Sequence, residues 1–229
     1  MNGSSLPQVW VPDVQRFERI LSAPRLKPFL DYSNGKFDQA LRLYVWNIAI
    51  SSSLWGSFHL LEISLRNVLH SELSSYFGTE DWWNSELNFH ADTRQQMDRS
   101  INAANKKHGV NFSPSHVVAE FSFAFWIDLL SNRYHERLWK HILSKGFSPQ
   151  EARRRDIHKA LEQLRKLRNR IAHHEPIFER PLQDDLKLLN WILGMIDVDI
   201  RDWALSKSRT AQLLDERIGR IEGRIQQSF

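Results

Sequence analysis

The sequence predicts an all-α protein, and three observations lead to that prediction. Apolar residues recur with helical spacing along almost the whole chain, and no strand pattern is evident. Nine glycines and eight prolines leave little material for the turns of a many-stranded sheet. Two serine–proline pairs mark helix starts, because serine caps a helix N-terminus and proline is tolerated in the first turn.

Length and composition are those of an ordinary globular protein. The 229 residues suffice for one substantial core, with 41% hydrophobic and 25% charged residues. The absence of cysteine excludes disulfides and thiolate metal sites, and the first residues lack the features of a signal peptide. We therefore expect a cytoplasmic protein that forms a single all-helical domain over residues 1–229.

One uncharged stretch, Leu43–Leu61, approaches the length of about 20 residues that a membrane-spanning helix needs. It nevertheless contains several serines, an asparagine and a histidine. A buried helix of a bundle explains those polar residues better, so we expect no membrane contact.

The helices of the first half follow from periodicity. We expect a short amphipathic helix at Asp13–Ser22, a turn at residues 23–29, and a long helix at Phe37–Phe77 that could break near Ser51–Ser53. Two tryptophans in the connection that follows are expected to be exposed. Apolar residues at helical spacing predict a core-facing stripe on the long helix, formed by Leu54, Phe58, Leu61, Leu65 and Leu69.

The second half continues the helical pattern. One helix, in the stretch SPSHVVAEFSFAFWIDLL at residues 113–130, should begin with Ser113 as N-cap. Another, at about residues 148–174, should begin with a capping box of Ser148 and Glu151. Pro176 should end that helix, because proline disfavours helical geometry in the preceding residue. The other predicted helices are Asp92–Lys107, Pro181–Leu205 and Thr210–Gln226.

The stretch LRKLRNRIAHHEPIF, residues 164–178, is the best candidate for a functional site. The segment around it, residues 151–180, has nine lysines and arginines against five aspartates and glutamates. A metal site is disfavoured because His173 and His174 are adjacent and point about 100° apart on a helix. A second interpretation is a plain helix C-terminus, where imidazolium is favoured by the macrodipole.

The third interpretation is cleavage of RNA by its own 2′-hydroxyl. This reaction needs a general acid or base near neutrality, for which histidine is suited, and a cation for the charge on phosphorus, for which arginine is suited. Asn169 and His173 are four residues apart and share a helix face. Arg168 points elsewhere on a straight helix, so we expect a homodimer in which two helix ends complete one site.

The spacing Arg168-Asn169-x-x-x-His173 matches the R-x4–6-H signature of HEPN ribonucleases. Together with the blocks PRL, LYVWN, LLEISLRN and FSFAFWIDLLSNRYHERLW, residues 164–178 resemble the Abi-like (AbiD/AbiF) family of abortive-infection proteins. This resemblance implies a HEPN-like helical bundle with additional N-terminal helices. It also implies metal-independent endoribonuclease activity without a cofactor, bacterial defence against phage, and a composite site in a dimer.

The resemblance also implies site residues and partners. Some family members are associated with a noncoding RNA, and HEPN toxins often have a neutralising antitoxin. The catalytic candidates that the signature gives are Arg168, Asn169 and His173, with His174 as an adjacent alternative. Nearby cations are candidates for RNA binding, namely Arg165, Lys166 and Arg170.

A second block, LEISLRNVLH, places Glu62 and Arg66 four residues apart on one helix face. Glu62 could hold an active-site arginine, or the two could form a plain intrahelical ion pair. The aromatic residues, Trp55 among them, are expected to pack in the core rather than stack on bases. The principal alternative function is a HEPN domain that binds RNA or a partner protein without cutting.

Overall fold

The computed structural model describes residues 13–148 and 153–228, and its regular secondary structure there is entirely helical. The prediction of an all-α fold is therefore confirmed. The α-helices are α1 Val14–Leu21, α2 Ala23–Tyr32, α3 Phe37–Phe77, α4 Ala91–His108, α5 Pro114–Glu120, α6 Phe123–Asp128, α7 Arg154–Ala172, α8 Leu182–Ile196, α9 Val198–Lys207, α10 Thr210–Asp215 and α11 Arg217–Ile221. Short 3₁₀ turns occur at Trp82–Asn84, Gly109–Asn111, Asn132–Tyr134 and Leu143–Gly146, and one π turn at His135–Trp139.

The chain divides into two compact units. One contains Met1–Ser52 and Thr210–Phe229, and the other contains Ser53–Arg209. In the first unit the Trp46 indole Nε1 donates a hydrogen bond of 2.8 Å to the carbonyl of Leu213. The candidate site lies wholly in the second unit.

The core of the second unit is built on the apolar stripe of α3, which is one continuous helix without an interruption at its serines. The stripe residues are at most 1% exposed, so the prediction of a core-facing stripe is confirmed; they are Leu54, Phe58, Leu61, Leu65 and Leu69.

Helix α7 packs against α6 and α8 and buries one face together with Arg154, while its other charged residues are partly or fully exposed. It ends at Ala172, two residues before the predicted end. It starts at Arg154 because Arg153 has extended backbone angles (φ −74°, ψ 138°), so the predicted start near residue 148 is wrong. The predicted capping box depends on residues 149–151, which lie outside the described residues.

Several local predictions are wrong for tertiary reasons. Residues 23–29 belong to α2 rather than to a turn, because burial of Leu26 and Phe29 outweighs the proline inside the helix. The tryptophans expected to be exposed, Trp82 and Trp83, are 0% and 2% exposed. The Trp82 indole packs near Trp126 and Phe121 and donates a hydrogen bond to His70.

Three predicted helices are interrupted. The Asp197 carboxylate accepts a hydrogen bond of 2.8 Å from the Ile200 amide and starts α9, which splits the predicted Pro181–Leu205 helix. Ser122 caps α6 in the same way, through a 3.2 Å bond from the Phe125 amide. The last helix is broken between α10 and α11, and left-handed Gly223 (φ 82°) follows the end of α11.

Among the described residues, none of the helices has the length and apolarity required to span a membrane, and this includes α3.

Candidate active site

A cavity of about 520 Å³ opens between α3, the α5–α6 segment and α7. The break at Ser122 brings the ends of α5 and α6 to its wall, and α3 and α7 supply most of its charge. The polar residues that line the cavity are His59, Glu62, Arg66, Glu120, Ser122, Arg165, Arg168 and Asn169.

Arg168 is held at this cavity by a carboxylate from a distant part of the chain. Its Nε lies 2.6 Å from Oε1 of Glu62, and its Nη2 lies 3.4 Å from Oε2. The guanidinium carbon is also 5.3 Å from the ring centre of Trp55. The two charged side chains are 30% and 25% exposed, so the ion pair is partly desolvated. Two hydrogen bonds and an aromatic face therefore restrict the orientation of this arginine.

The cavity face of α3 follows from helical spacing. Trp55, His59, Glu62 and Arg66 are separated by four, three and four residues, so they fall along one face of the helix. Trp55 is 43% exposed, so the expectation that it packs in the core is wrong. The other aromatic residues of that expectation are buried, namely Trp46, Phe121, Phe123, Phe125, Trp126 and Trp139.

Glu62 and Arg66 line the same cavity, but Glu62 pairs with Arg168. The Nε of Arg66 instead donates to the side-chain oxygen of Asn67 at 3.3 Å. Glu62 could hold an active-site arginine or form an intrahelical ion pair with Arg66. Its hydrogen bonds to Arg168 correspond to the first of these roles. Sequence spacing alone left both roles open.

Arg165 also lines the cavity and is paired within its own helix. Its Nε and Nη2 donate to Glu162 at 3.1 and 2.8 Å. These hydrogen bonds raise the pKa of Arg165 and lower the pKa of Glu162.

The other two candidates for RNA binding do not line the cavity. Lys166 is exposed. Arg170 supports the chain that leaves α7, because its Nη2 donates to the carbonyl of Pro176 at 2.7 Å. Its Nε lies 3.3 Å from the Glu175 carboxylate.

The two histidines lie at the C-terminus of α7, outside the set of residues that lines the cavity, and both are exposed. His173 continues the helical hydrogen bonding, since its amide donates to the Asn169 carbonyl at 2.9 Å. His174 has a φ of 56° and so adopts the left-handed conformation.

A Schellman motif closes the helix. The His174 amide donates to the carbonyl of Ile171 at 3.0 Å, and the Glu175 amide donates to the carbonyl of Arg170 at 2.8 Å. Glycine usually occupies the left-handed position of this motif, so a histidine there carries backbone strain.

The structure thus brings together Arg168, Asn169, Arg165, Glu62 and Arg66 in one cavity, and it places His173 one helical turn beyond Asn169. Sequence reasoning missed His59 as a residue of this site. Its spacing from Glu62 and Arg66, by three and seven residues, could have identified it, because this spacing places all three on one face of α3.

In residues 13–148 and 153–228, no group of three or more histidine, aspartate or glutamate side chains is arranged to hold a metal ion. The adjacent histidines differ in backbone conformation, with φ of −90° at His173 and 56° at His174.

These features define an all-helical protein in which one cavity collects arginine side chains next to a helix end with two histidines. Residues 15–179 match the model of the Abi-like protein family, and the chain belongs to that family. The family implies a role in abortive infection, the defence of bacteria against phage. No curated protein and no solved structure matches the chain.

Proposed function

We propose that the protein is a metal-independent endoribonuclease of bacterial phage defence that cleaves RNA in the cytoplasm by attack of the substrate's own 2′-hydroxyl. The observation that carries the proposal is the fixed guanidinium of Arg168. Glu62 holds it at the cavity beside Asn169, one helical turn before His173. The match of this signature to HEPN ribonucleases remains a prediction from the sequence.

The arrangement is suited to the transition state of cleavage, in which negative charge develops on the phosphate. Glu62 accepts hydrogen bonds from Nε and Nη2 of Arg168 and leaves the Nη1 donors for a phosphate oxygen. A cation that is already oriented stabilises the developing charge without the cost of reorganisation. His173 then serves as the general acid or base, a role for which imidazole is suited near neutral pH.

A two-fold pair of chains would complete this site. The exposed ends of two α7 helices, each with His173, would then face one substrate phosphate, and the exposed Lys166 side chains would add positive potential. We expect a homodimer by light scattering at micromolar protein. RNA affinity should fall steeply with salt, because bound phosphates release counterions.

The decisive experiment is incubation of purified protein with total RNA, with and without EDTA. Cleavage should persist in EDTA and leave 2′,3′-cyclic phosphate ends. A 2′-deoxy substitution at the cut site should block it, because the nucleophile is then missing. Metal-dependent cleavage that leaves 3′-hydroxyl ends contradicts the proposal.

His173→Ala and His174→Ala form a matched pair for the same assay. His173→Ala should lower the cleavage rate about 10²-fold, as expected for a general acid or base, while the fold is retained. His174→Ala should retain the wild-type rate. If His174→Ala lowers the cleavage rate and His173→Ala does not, His174 is the general acid or base.

One observation favours a second function, the binding of RNA or of a partner protein without cleavage. Arg168 and Arg165 are both paired with carboxylates, and His173 does not line the cavity. A cognate noncoding RNA or a neutralising antitoxin would be the corresponding ligand. Copurification of a structured RNA with a protein that never cuts RNA would support this function.

A further inference from the structure

The cavity contains an imidazole that the signature does not include. Among the described residues that line it, the one histidine is His59, and its side chain is exposed to solvent. His59 precedes Glu62 by three residues, which is about 4.5 Å along a helix axis. It therefore lies almost one turn of α3 from the carboxylate that holds Arg168.

In the described part of the chain, five charged side chains line this cavity, and they come from three helices. Glu62 and Arg66 lie on the same helix as His59, Glu120 ends α5, and Arg165 and Arg168 come from α7. An anionic RNA phosphate that enters to contact these arginines would reach a site where an imidazole and fixed guanidinium groups occur together.

Cleavage by a 2′-hydroxyl requires two proton transfers. A base removes the proton from the 2′-oxygen as the bond between that oxygen and phosphorus forms. An acid gives a proton to the 5′-oxygen as its bond to phosphorus breaks. Imidazole can serve in either step, and one neutral and one protonated imidazole supply both. Within one chain, His173 supplies one of these imidazoles, and His59 is the second that the described lining of the cavity offers.

We propose that His59 is a catalytic residue that carries out one of these two proton transfers, with His173 carrying out the other. The proton lost from the 2′-hydroxyl resides on one imidazole, and the leaving 5′-oxygen receives its proton from the second. The product is a 2′,3′-cyclic phosphate and a free 5′-hydroxyl, so no further reactant is consumed. This inference rests on the proposed ribonuclease function.

The test is single-turnover cleavage of RNA between about pH 5 and pH 9 by the wild-type protein, His59→Gln and His141→Gln. His141 is exposed and does not line the cavity, so it is the matched control. Loss of one imidazole from an acid–base pair should lower the rate about 10²-fold and abolish one limb of a bell-shaped pH profile. RNA affinity should be retained, because the arginines remain.

Loss of the acidic limb in His59→Gln identifies His59 as the base, and loss of the alkaline limb identifies it as the acid. A His59→Gln protein with the wild-type rate, or with a lower rate and both limbs intact, overturns the inference and leaves the proposed function standing. A wild-type protein that cleaves no RNA overturns both. Circular dichroism of the variants checks that the fold is retained.

Discussion

Two regions of α7 hold their functional groups by different means. In the cavity, Arg168 is fixed by Glu62, which is 106 residues away in sequence. At the C-terminus, His173 and His174 are positioned by backbone hydrogen bonds to residues of the preceding turn. The orientation of Arg168 depends on tertiary packing, whereas the backbone of the two histidines is set by hydrogen bonds within the same helix end.

The two arginines that α7 contributes to the cavity repeat this contrast. Arg165 donates to Glu162, three residues earlier on the same helix, and Arg168 donates to Glu62 on α3. Both ion pairs have side chains of similar exposure. The two ion pairs differ in what they join. Arg168 and Glu62 connect α7 to α3, whereas Arg165 and Glu162 lie on α7 itself.

The largest expected effect is on catalysis and concerns Arg168→Ala. Removal of a positioned cation at the site of developing charge should lower the rate of RNA cleavage by about 10²-fold or more. Arg155→Ala is the matched control, because Arg155 is an exposed arginine of the same helix that does not line the cavity. Single-turnover rates measure the effect, and equal rates for both variants contradict the role of Arg168.

The next effect separates distant from local support. Glu62→Gln should lower the cleavage rate about tenfold, because a misplaced catalytic group loses reactivity even when it is present. Glu162→Gln removes a local pair of the kind that contributes about 0.3–0.5 kcal/mol, so the rate should stay near that of the wild type. The comparison fails if Glu162→Gln is the more damaging substitution in the same assay.

The third effect is on stability at the helix end. His174→Gly should raise the free energy of unfolding by about 1 kcal/mol, because glycine adopts the left-handed backbone without strain. His173→Gly should lower it, because φ at His173 is −90° and glycine only gains freedom in the unfolded chain. Urea denaturation followed by circular dichroism measures both. Changes of the same sign in the free energy of unfolding of the two variants would contradict this prediction.

The smallest effect is a dependence of stability on pH. Burial lowers the pKa of His70 and of His158 below the ordinary value of 6.5. The unfolded chain then binds protons that the folded chain does not, so stability is full above about pH 6.5 and declines as pH falls through the lowered pKa values. Urea midpoints from pH 7.5 to pH 5 should decrease less in His158→Gln than in the wild type. An unchanged slope would contradict the role of this histidine.

Local chemistry explains what could be predicted from sequence. The apolar spacing of Leu54 to Leu69 predicts a buried face, because a helix places such residues on one side. Pro176 and the change of pattern after His174 place the end of α7 within two residues. The signature on α7 likewise marks Arg168 and Asn169, which both line the cavity.

The errors occurred where packing outweighs local preference. Trp82 and Trp83 lie in a polar connection, which predicts that they are exposed. They are buried because they pack against aromatic residues about 40 positions later in the sequence. Trp55 was expected in the core, but its place on the cavity face of α3 leaves it partly open to solvent. The side chains of Asp197 and Ser122 cap the N-termini of α9 and α6, and each cap interrupts a predicted helix. The spacing of apolar residues does not reveal such hydrogen bonds from a side chain to the backbone.

The spacing of residues a few positions apart predicts the all-helical class, the apolar faces and the placement of the arginine and the histidines on or just after one helix. The pairing of Glu62 with Arg168 rather than with Arg66, and the presence of His59 in the same cavity, depend on tertiary contacts. The physical reason is that α3 and α7 meet through contacts more than 100 residues apart in sequence, and no local preference specifies which side chains face each other across them.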